Sequence, residues 1–300
     1  MKIGFIGLGN MGAPMVNNLA NAGHQITGFD VSSAALSNAK NYDIVIAKNI
    51  KAAASDQDVI ITMLPDGKAL TSVTKEIIPF MKRDSCLIDC STVDVQSARM
   101  VAKMLNEENL FVLDAPVSGG VVGAKAGTLT FMVGGNDASF SIGEPLFGIM
   151  GKRTIHCGPD GAGQAAKICN NMILGASMIA TCEAIALADN LSLDRDKLFE
   201  VVSTSSGNCW SMSTYCPAPG IGPDSPSDHN YKPGFAAELM LKDLGLSQQA
   251  ATETGTPTKI GRLAHDIYSD FIKNNNGANL DFSAILTLLE KSQHFDKKDI

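Results

Sequence analysis

Lys2-Ile3-Gly4-Phe5-Ile6-Gly7-Leu8-Gly9-Asn10-Met11-Gly12 decides the fold. The apolar run predicts a buried strand over 2–6, and Gly7, Gly9 and Gly12 form a GxGxxG turn that opens a helix over 11–22. Each glycine has a physical reason: Gly7 for the tight turn, Gly9 for close approach of a pyrophosphate, Gly12 for helix–strand packing. Leu8, Asn10 and Met11 complete the loop, and the helix start offers free N–H groups and a favourable dipole to phosphates. A second strand over 25–29 runs into Asp30, 18 residues past Gly12. A carboxylate there accepts from adenine-ribose hydroxyls and opposes a 2′-phosphate. No Arg follows in Val31-Ser32-Ser33, so the expected cofactor is NAD rather than NADP. The plainer readings are a glycine turn without a ligand, and Asp30 as a helix N-cap or solvated turn residue.

Outward from this motif, strand and helix patterns alternate. Strands are expected at 2–6, 25–29, 43–47, 58–63, 86–90, 110–114, 129–133 and 153–157, with helices at 11–22, 32–40, 68–81, 94–107 and 137–150. Near-continuous apolar strands between helices predict an α/β fold, a Rossmann-type doubly wound parallel sheet covered on both faces. After Gly161-Ala162-Gly163 the pattern turns helical. One helix is expected over 164–191, about 28 residues and about 42 Å long, apolar on nearly every side and therefore buried on every side, within one subunit or between two. Helical patterns return at 194–203, 235–252, 257–275 and 281–292. The expected domains are 1–162, dinucleotide-binding; 163–293, an all-α substrate and oligomerisation domain begun by the long inter-domain helix; and a frayed tail, 294–300. Residues 213–234 hold five of the twelve prolines and read as a structureless flap or assembly arm.

The composition excludes several classes. The chain has 300 residues, 45% hydrophobic, ample for a large core and against disorder. Lys+Arg 24 against Asp+Glu 31 gives −7, no basic face for nucleic acid. Seven cysteines without a CxxC pair read as reduced thiols, and five scattered histidines predict no metal site. The first residues break into glycines at once, unlike a secretory signal. The apolar stretch 173–188, interrupted by Glu183, falls short of a membrane span. The expectation is a soluble, cytoplasmic protein with no membrane partner.

Four segments carry chemistry together: Gly7–Gly12; Asp114-Ala115-Pro116-Val117-Ser118-Gly119-Gly120; Gly161-Ala162-Gly163-Gln164-Ala165-Ala166-Lys167-Ile168-Cys169-Asn170-Asn171; and Lys242-Asp243-Leu244. In this order, over essentially the whole chain, they resemble the β-hydroxyacid dehydrogenase family, most closely its 3-hydroxyisobutyrate dehydrogenases. Lys167 and Asn171, four residues apart on one helix, share a face and can address one small ligand, with Asn170 on its flank. Alcohol oxidation by a nicotinamide needs a group that takes the hydroxyl proton, and an ammonium whose pKa is lowered by burial can do so. The resemblance assigns that role to Lys167 and has Asn171 orient the hydroxyl or a carboxylate oxygen. The plainer reading of Lys167 is a stem packed on the helix with its head in water.

Ser118, Gly119 and Gly120 suit a small anion-binding concavity, which the family uses for a substrate carboxylate; the alternative is a loop needing glycine for its backbone angles. Leu64-Pro65 and Ser91-Thr92 end their strands, where an open α/β sheet binds its ligand. By similarity Leu64, Pro65 and Thr92 line the nicotinamide half of NAD. Lys242 resembles a second family lysine near the nicotinamide ribose, with Asp243 toward the substrate, or the two form a simple helix ion pair. Trp210, Tyr215 and more weakly Phe235 are candidates to close the substrate pocket, against ordinary core packing.

The resemblance implies NAD-dependent oxidation of 3-hydroxyisobutyrate to methylmalonate semialdehyde, a step of valine breakdown, by a homodimer or homotetramer. Rival substrates are L-serine, D-glycerate or tartronate semialdehyde, and other short 3-hydroxy acids; a rival of another class is a non-catalytic nucleotide-binding scaffold. A 6-phosphogluconate-type specificity is disfavoured by length and by the lack of an Arg cluster.

Overall fold

A computed structural model describes residues 1–292. The chain forms two compact units, Met1–Lys167 and Ile168–Ile300. The expected cut after 162 and this one both fall in the first turns of the same long helix. The expected fraying of 294–300 lies outside the described residues.

The first unit runs β1 (Lys2–Ile6), α1 (Gly12–Asn21), β2 (Gln25–Phe29), α2 (Ser33–Ala39), β3 (Val45–Ile46), α3 (Ile50–Ala54), β4 (Val59–Thr62), α4 (Gly67–Ile77), β5 (Cys86–Asp89), α5 (Val95–Glu107) and β6 (Phe111–Asp114). It continues through β7 (Val117–Ser118), α6 (Gly120–Ala126), β8 (Leu129–Gly134), α7 (Asp137–Met150) and β9 (Gly151–Gly158). Strand order is β3-β2-β1-β4-β5-β6-β8-β7, with β9 pairing β8. The first six strands in that order are parallel, whereas β8 pairs β6 and β7 antiparallel and β9 parallel. Alternation along the strands explains both covered faces. Ile3, Phe5, Val59, Ile61, Cys86 and Ile88 join the core under α1 and α7, while Ile6, Ile60 and Leu87 join the one under α3, α4 and α5.

The expected strand over 43–47 shrinks to two residues, and α3 and α6 occupy stretches not read as helical. Pro79 stops the helix expected to 81, which ends at Ile77 and passes into a 3-10 turn, Ile78–Phe80.

The second unit takes most of α8 (Ala162–Asn190), then α9 (Arg195–Ser203), α10 (Trp210–Ser213), α11 (Ala237–Thr254), α12 (Lys259–Asn275) and α13 (Leu286–Ser292). Met178, Ile179, Cys182 and Ile185 of α8 pack with Met240 and Leu244 of α11 and Tyr268 and Phe271 of α12. One expectation needs correction. At 29 residues α8 is long and apolar enough to cross a membrane by length and composition. In the single chain Ile173 and Leu187 are 67% and 59% exposed, so the chain by itself does not cover every side of α8.

Residues 213–234 are not structureless. Ser225 and Asp228 form a capping box on the 3-10 turn Pro226–His229, and Asp228 also accepts the Gly220 N–H. The Ser225 hydroxyl donates to the Cys216 carbonyl and the Tyr231 hydroxyl to that of Pro217. Side chains supply the hydrogen bonds that a regular ladder would have made.

Candidate active site

β1 hands over to α1 through Gly7, whose φ of +102° an L side chain rarely adopts. Its N–H donates to the Phe29 carbonyl at 2.9 Å, tying the loop to β2. Asp30, half-buried at the end of β2, accepts from the Leu8 N–H at 2.6 Å and the Ser32 N–H at 2.7 Å. It thus shapes the glycine loop, and each oxygen keeps a lone pair for a further donor. Helices α2, α3, α4, α5 and α7 each have a side-chain N-cap, from Ser32, Asn49, Asp66, Asp94 and Asn136. α1 has no side-chain cap; its Ala13 N–H turns back to the Gly9 carbonyl at 3.0 Å and Pro14 carries no N–H, so the Gly12 N–H is what this helix start offers an anion. Gly9 and Asn10 are exposed, and nothing lies within 4 Å of where a Gly9 Cβ would stand. These residues fit a dinucleotide pyrophosphate.

At the C-terminal ends of β4 and β5 the loops lock together. The Ser91 hydroxyl accepts the Leu64 N–H at 2.8 Å and donates to Asp89, which also accepts from Thr62. Pro65 is exposed and Thr92 half-buried. Gly119 and Gly120 have φ of +127° and +60°, and they lead from Ser118 into α6 rather than through an open loop.

The start of α8 is held by Asp114 at the end of β6, whose carboxylate accepts the N–H groups of Gly161 at 2.7 Å and Gln164 at 2.8 Å. Burial pushes the Asp114 carboxyl up to about 7, against the pull of those two bonds and with the Asp89 charge adding to the rise. Lys167 follows, buried at 7% exposure. One turn later on the same helix stands Asn171, 1% exposed. Its amide donates to Asp243 at 2.5 Å and its carbonyl accepts from Asn170 at 2.9 Å, leaving one donor and one acceptor position for a ligand. Lys242 lies 3.6 Å from Asp243, so the helix ion pair is present and Asp243 is shared between Lys242 and Asn171.

Trp210 is 48% exposed and stacks on Tyr215 at 4.7 Å. Tyr215 stacks in turn on Phe282, and Phe235 meets Phe282 edge-on. The Tyr215 hydroxyl donates to Asp281, and burial, then that carboxylate, pushes its phenol pKa up. Asp281, fully buried, also accepts from the N–H groups of Gly234, Phe235 and Ser283 and from the Ser283 hydroxyl. Tyr215 and Phe235 are therefore held in place, while Trp210 presents its indole outward.

Sequence reasoning missed Asp114, Gln164 and Asp281 as organisers. Asp114 was legible only as the end of a strand; Asp281, two residues before Ser283, carried a weak Asx-turn signal. Among the described residues no three His, Cys, Asp or Glu side chains group as metal ligands.

Residues 2–158 match the family model for the NAD binding domain of 6-phosphogluconate dehydrogenase. Residues 161–289 match the one for NAD-binding of NADP-dependent 3-hydroxyisobutyrate dehydrogenase. The chain is 44% identical over 287 residues to a probable 3-hydroxyisobutyrate dehydrogenase of Mycobacterium tuberculosis, covering 96% of this chain and 97% of that one. It is 42% identical over 296 residues to the mitochondrial 3-hydroxyisobutyrate dehydrogenase of Homo sapiens, covering 98% and 88%. Among solved structures, the Mycobacterium tuberculosis 3-hydroxyisobutyrate dehydrogenase with L-serine superposes with a TM-score of 0.93 at 44% identity, covering 96% and 98%. One from Salmonella typhimurium gives 0.80 at 26% identity, covering 96% and 99%.

Proposed function

The chain belongs to the β-hydroxyacid dehydrogenase family, among its 3-hydroxyisobutyrate dehydrogenases, and from that premise we propose that it oxidises 3-hydroxyisobutyrate to methylmalonate semialdehyde with NAD, a step of valine breakdown. The observation that carries the mechanism is a lysine buried on α8 one turn before a fixed asparagine. Bound NAD would supply the hydride acceptor for the carbinol carbon. The Lys167 amine takes the hydroxyl proton as that carbon becomes an aldehyde, and returns it in the reverse reaction. Asn171, held by Asp243 and Asn170, orients the alcohol or carboxylate oxygen. Ser118, Gly119 and Gly120 receive the substrate carboxylate, and Trp210 and Tyr215 shield the methyl side.

On the cofactor side, Gly7, Leu8, Gly9, Asn10, Met11 and Gly12 cradle the pyrophosphate, and Asp30 takes the ribose hydroxyls. Leu64, Pro65, Thr92 and Lys242 serve the nicotinamide half. Asp30 favours NAD because a 2′-phosphate would face its carboxylate with no Arg in Val31-Ser32-Ser33. Exposed Ile173 and Leu187 support a homodimer or homotetramer, and reduced thiols support a cytoplasmic setting.

L-serine is the second reading, because the Mycobacterium tuberculosis relative was solved with it. It carries an ammonium where 3-hydroxyisobutyrate carries a methyl. Initial rates of NADH formation across 3-hydroxyisobutyrate, L-serine, D-glycerate and 3-hydroxypropionate, each repeated with NADP, test both readings. The expected kcat/KM for 3-hydroxyisobutyrate with NAD is at least about tenfold above the rest, within the roughly 10–200-fold that one methyl allows. Faster serine turnover would move the substrate and keep the mechanism. Equal rates with NADP would remove the role given to Asp30.

A further inference from the structure

We propose that Asp114 and Gln164 are positioning residues for the reaction: they fix the first turns of α8 to the ends of β5 and β6 and so set where the Lys167 amine stands. The proposal rests on the reading of Lys167 as the proton-transfer group.

An ordinary N-cap immediately precedes its helix and steadies it without locating it. Here the capping carboxylate comes from Asp114, far upstream in the sequence, on a central strand of the sheet. The bond therefore locates the helix as well as ending it. Gln164, fully buried, makes the second tie. Its Oε1 accepts the Val93 N–H at 3.1 Å and its Nε2 donates to the Ser91 carbonyl at 2.8 Å. Those two residues flank Thr92, so one side chain couples the turn carrying Lys167 to the strand end proposed to line the nicotinamide. Two glycines clear the seat. A Cβ on Gly134 would overlap the Asp114 carboxylate, and one on Gly163 would overlap the Met132 and Asp114 carbonyls. Lys167 comes three residues after Gln164, too close for intervening chain to absorb a shift at the helix start.

A tilt or slide of that turn moves a reacting nitrogen by a fraction of its alignment distance, and misplacement by about 1 Å costs on the order of a hundredfold in rate. Above about pH 8, where the Asp114 carboxyl is ionised and the assay is run, Asp114→Asn keeps the shape but turns an N–H donor toward one of the two backbone amides. Gln164→Met keeps the volume and loses both ties.

The test is kcat per NAD-binding site, with sites counted by titration of NAD against each purified variant, together with the NAD Kd and substrate KM. Each single variant is expected to lose at least tenfold in kcat per site, with NAD Kd and substrate KM within about twofold of the parent. The double variant should lose less than the product of the two, because both act on one turn. A merely structural role lowers the number of NAD-binding sites and leaves the rate per site unchanged; that result overturns the proposal. If Asp114→Asn does not fold, Gln164→Met decides alone, and a parental rate per site in it is fatal. Lys167→Ala, assayed alongside, separates the two ideas. An active Lys167→Ala defeats the reading of Lys167, whereas an inactive one beside fully active Asp114 and Gln164 variants defeats only this inference.

Discussion

Replacing Lys167 with Ala lowers kcat by about a thousandfold or more while the NAD Kd stays within about twofold. Moving the hydroxyl proton through a placed base contributes on the order of 10²–10⁴ in rate, and no other described titratable side chain shares that face of α8 at this position. Most of the residues proposed for the cofactor lie on the glycine loop and strand ends, away from α8. Lys167→Arg sharpens the point. A guanidinium keeps the positive charge and most of the length but does not give up its proton in a protein. Loss in both variants identifies proton transfer as the lost function. Substantial turnover by the Arg variant would mean that Lys167 acts by charge alone.

Gly12→Ala and Gly9→Ala should fail in different ways. A Cβ on Gly12 would overlap the Gly7 carbonyl oxygen and crowd the Phe5 ring, so α1 must lift from β1. Helix propensity would gain up to about 1 kcal/mol from Ala, yet overpacking against backbone costs about 1–3 kcal/mol or more. Gly12→Ala is therefore expected to lower the melting temperature by several degrees and to bind NAD at least tenfold more weakly. At Gly9 the same atom meets nothing within 4 Å. Gly9→Ala should melt within about a degree of the parent without cofactor and still lose NAD affinity at least tenfold, because the methyl stands where the pyrophosphate approaches. Thermal melts with and without NAD read both. Unchanged NAD affinity in Gly9→Ala would show that the loop is only a turn.

The strand–helix alternation and the GxGxxG loop were legible because they depend on neighbours within a few residues: β-branched runs, glycine spacing and helix periodicity. That Lys167 and Asn171 share a helix face was legible for the same reason, whereas the role given to Lys167 came from the resemblance of the four motifs and not from spacing. What escaped was set by distant partners. Asp114 looks like any strand-ending carboxylate until α8 returns to it. Asp281 looks like a surface turn residue until Tyr215, Gly234 and Phe235 converge on it. The segment 213–234 read as structureless because its proline pattern excludes helix and strand and says nothing of side chains that tie a loop to itself. Short helices such as α3 and α6 escaped because one or two turns carry too little periodicity.

The buried carboxyl of Asp114 makes folding a proton-consuming reaction. Its folded value of about 7 stands above the ordinary aspartate value of 3.8. Between those limits the native chain binds more proton than the unfolded one. The sign follows: this group favours the fold most at and below about pH 4, and the contribution fades as pH rises through about 7, on the order of 4 kcal/mol in all. Asp89 and Asp160 share its cavity and Cys157 senses its charge, while Asp58 and Asp228, held low by their hydrogen bonds, titrate beneath the window. Near pH 6 unfolding should hand a proton to the buffer. The calorimetric heat of unfolding should then differ between buffers of small and large ionisation enthalpy, and the difference should shrink in Asp114→Asn. His24, lowered by burial, takes up proton on unfolding in the same window, so the comparison with Asp114→Asn is decisive: an unchanged buffer dependence in that variant would mean that the carboxyl titrates alike in the folded and unfolded chain. The solvent's protons are thus a reactant in assembling this enzyme as well as in its chemistry.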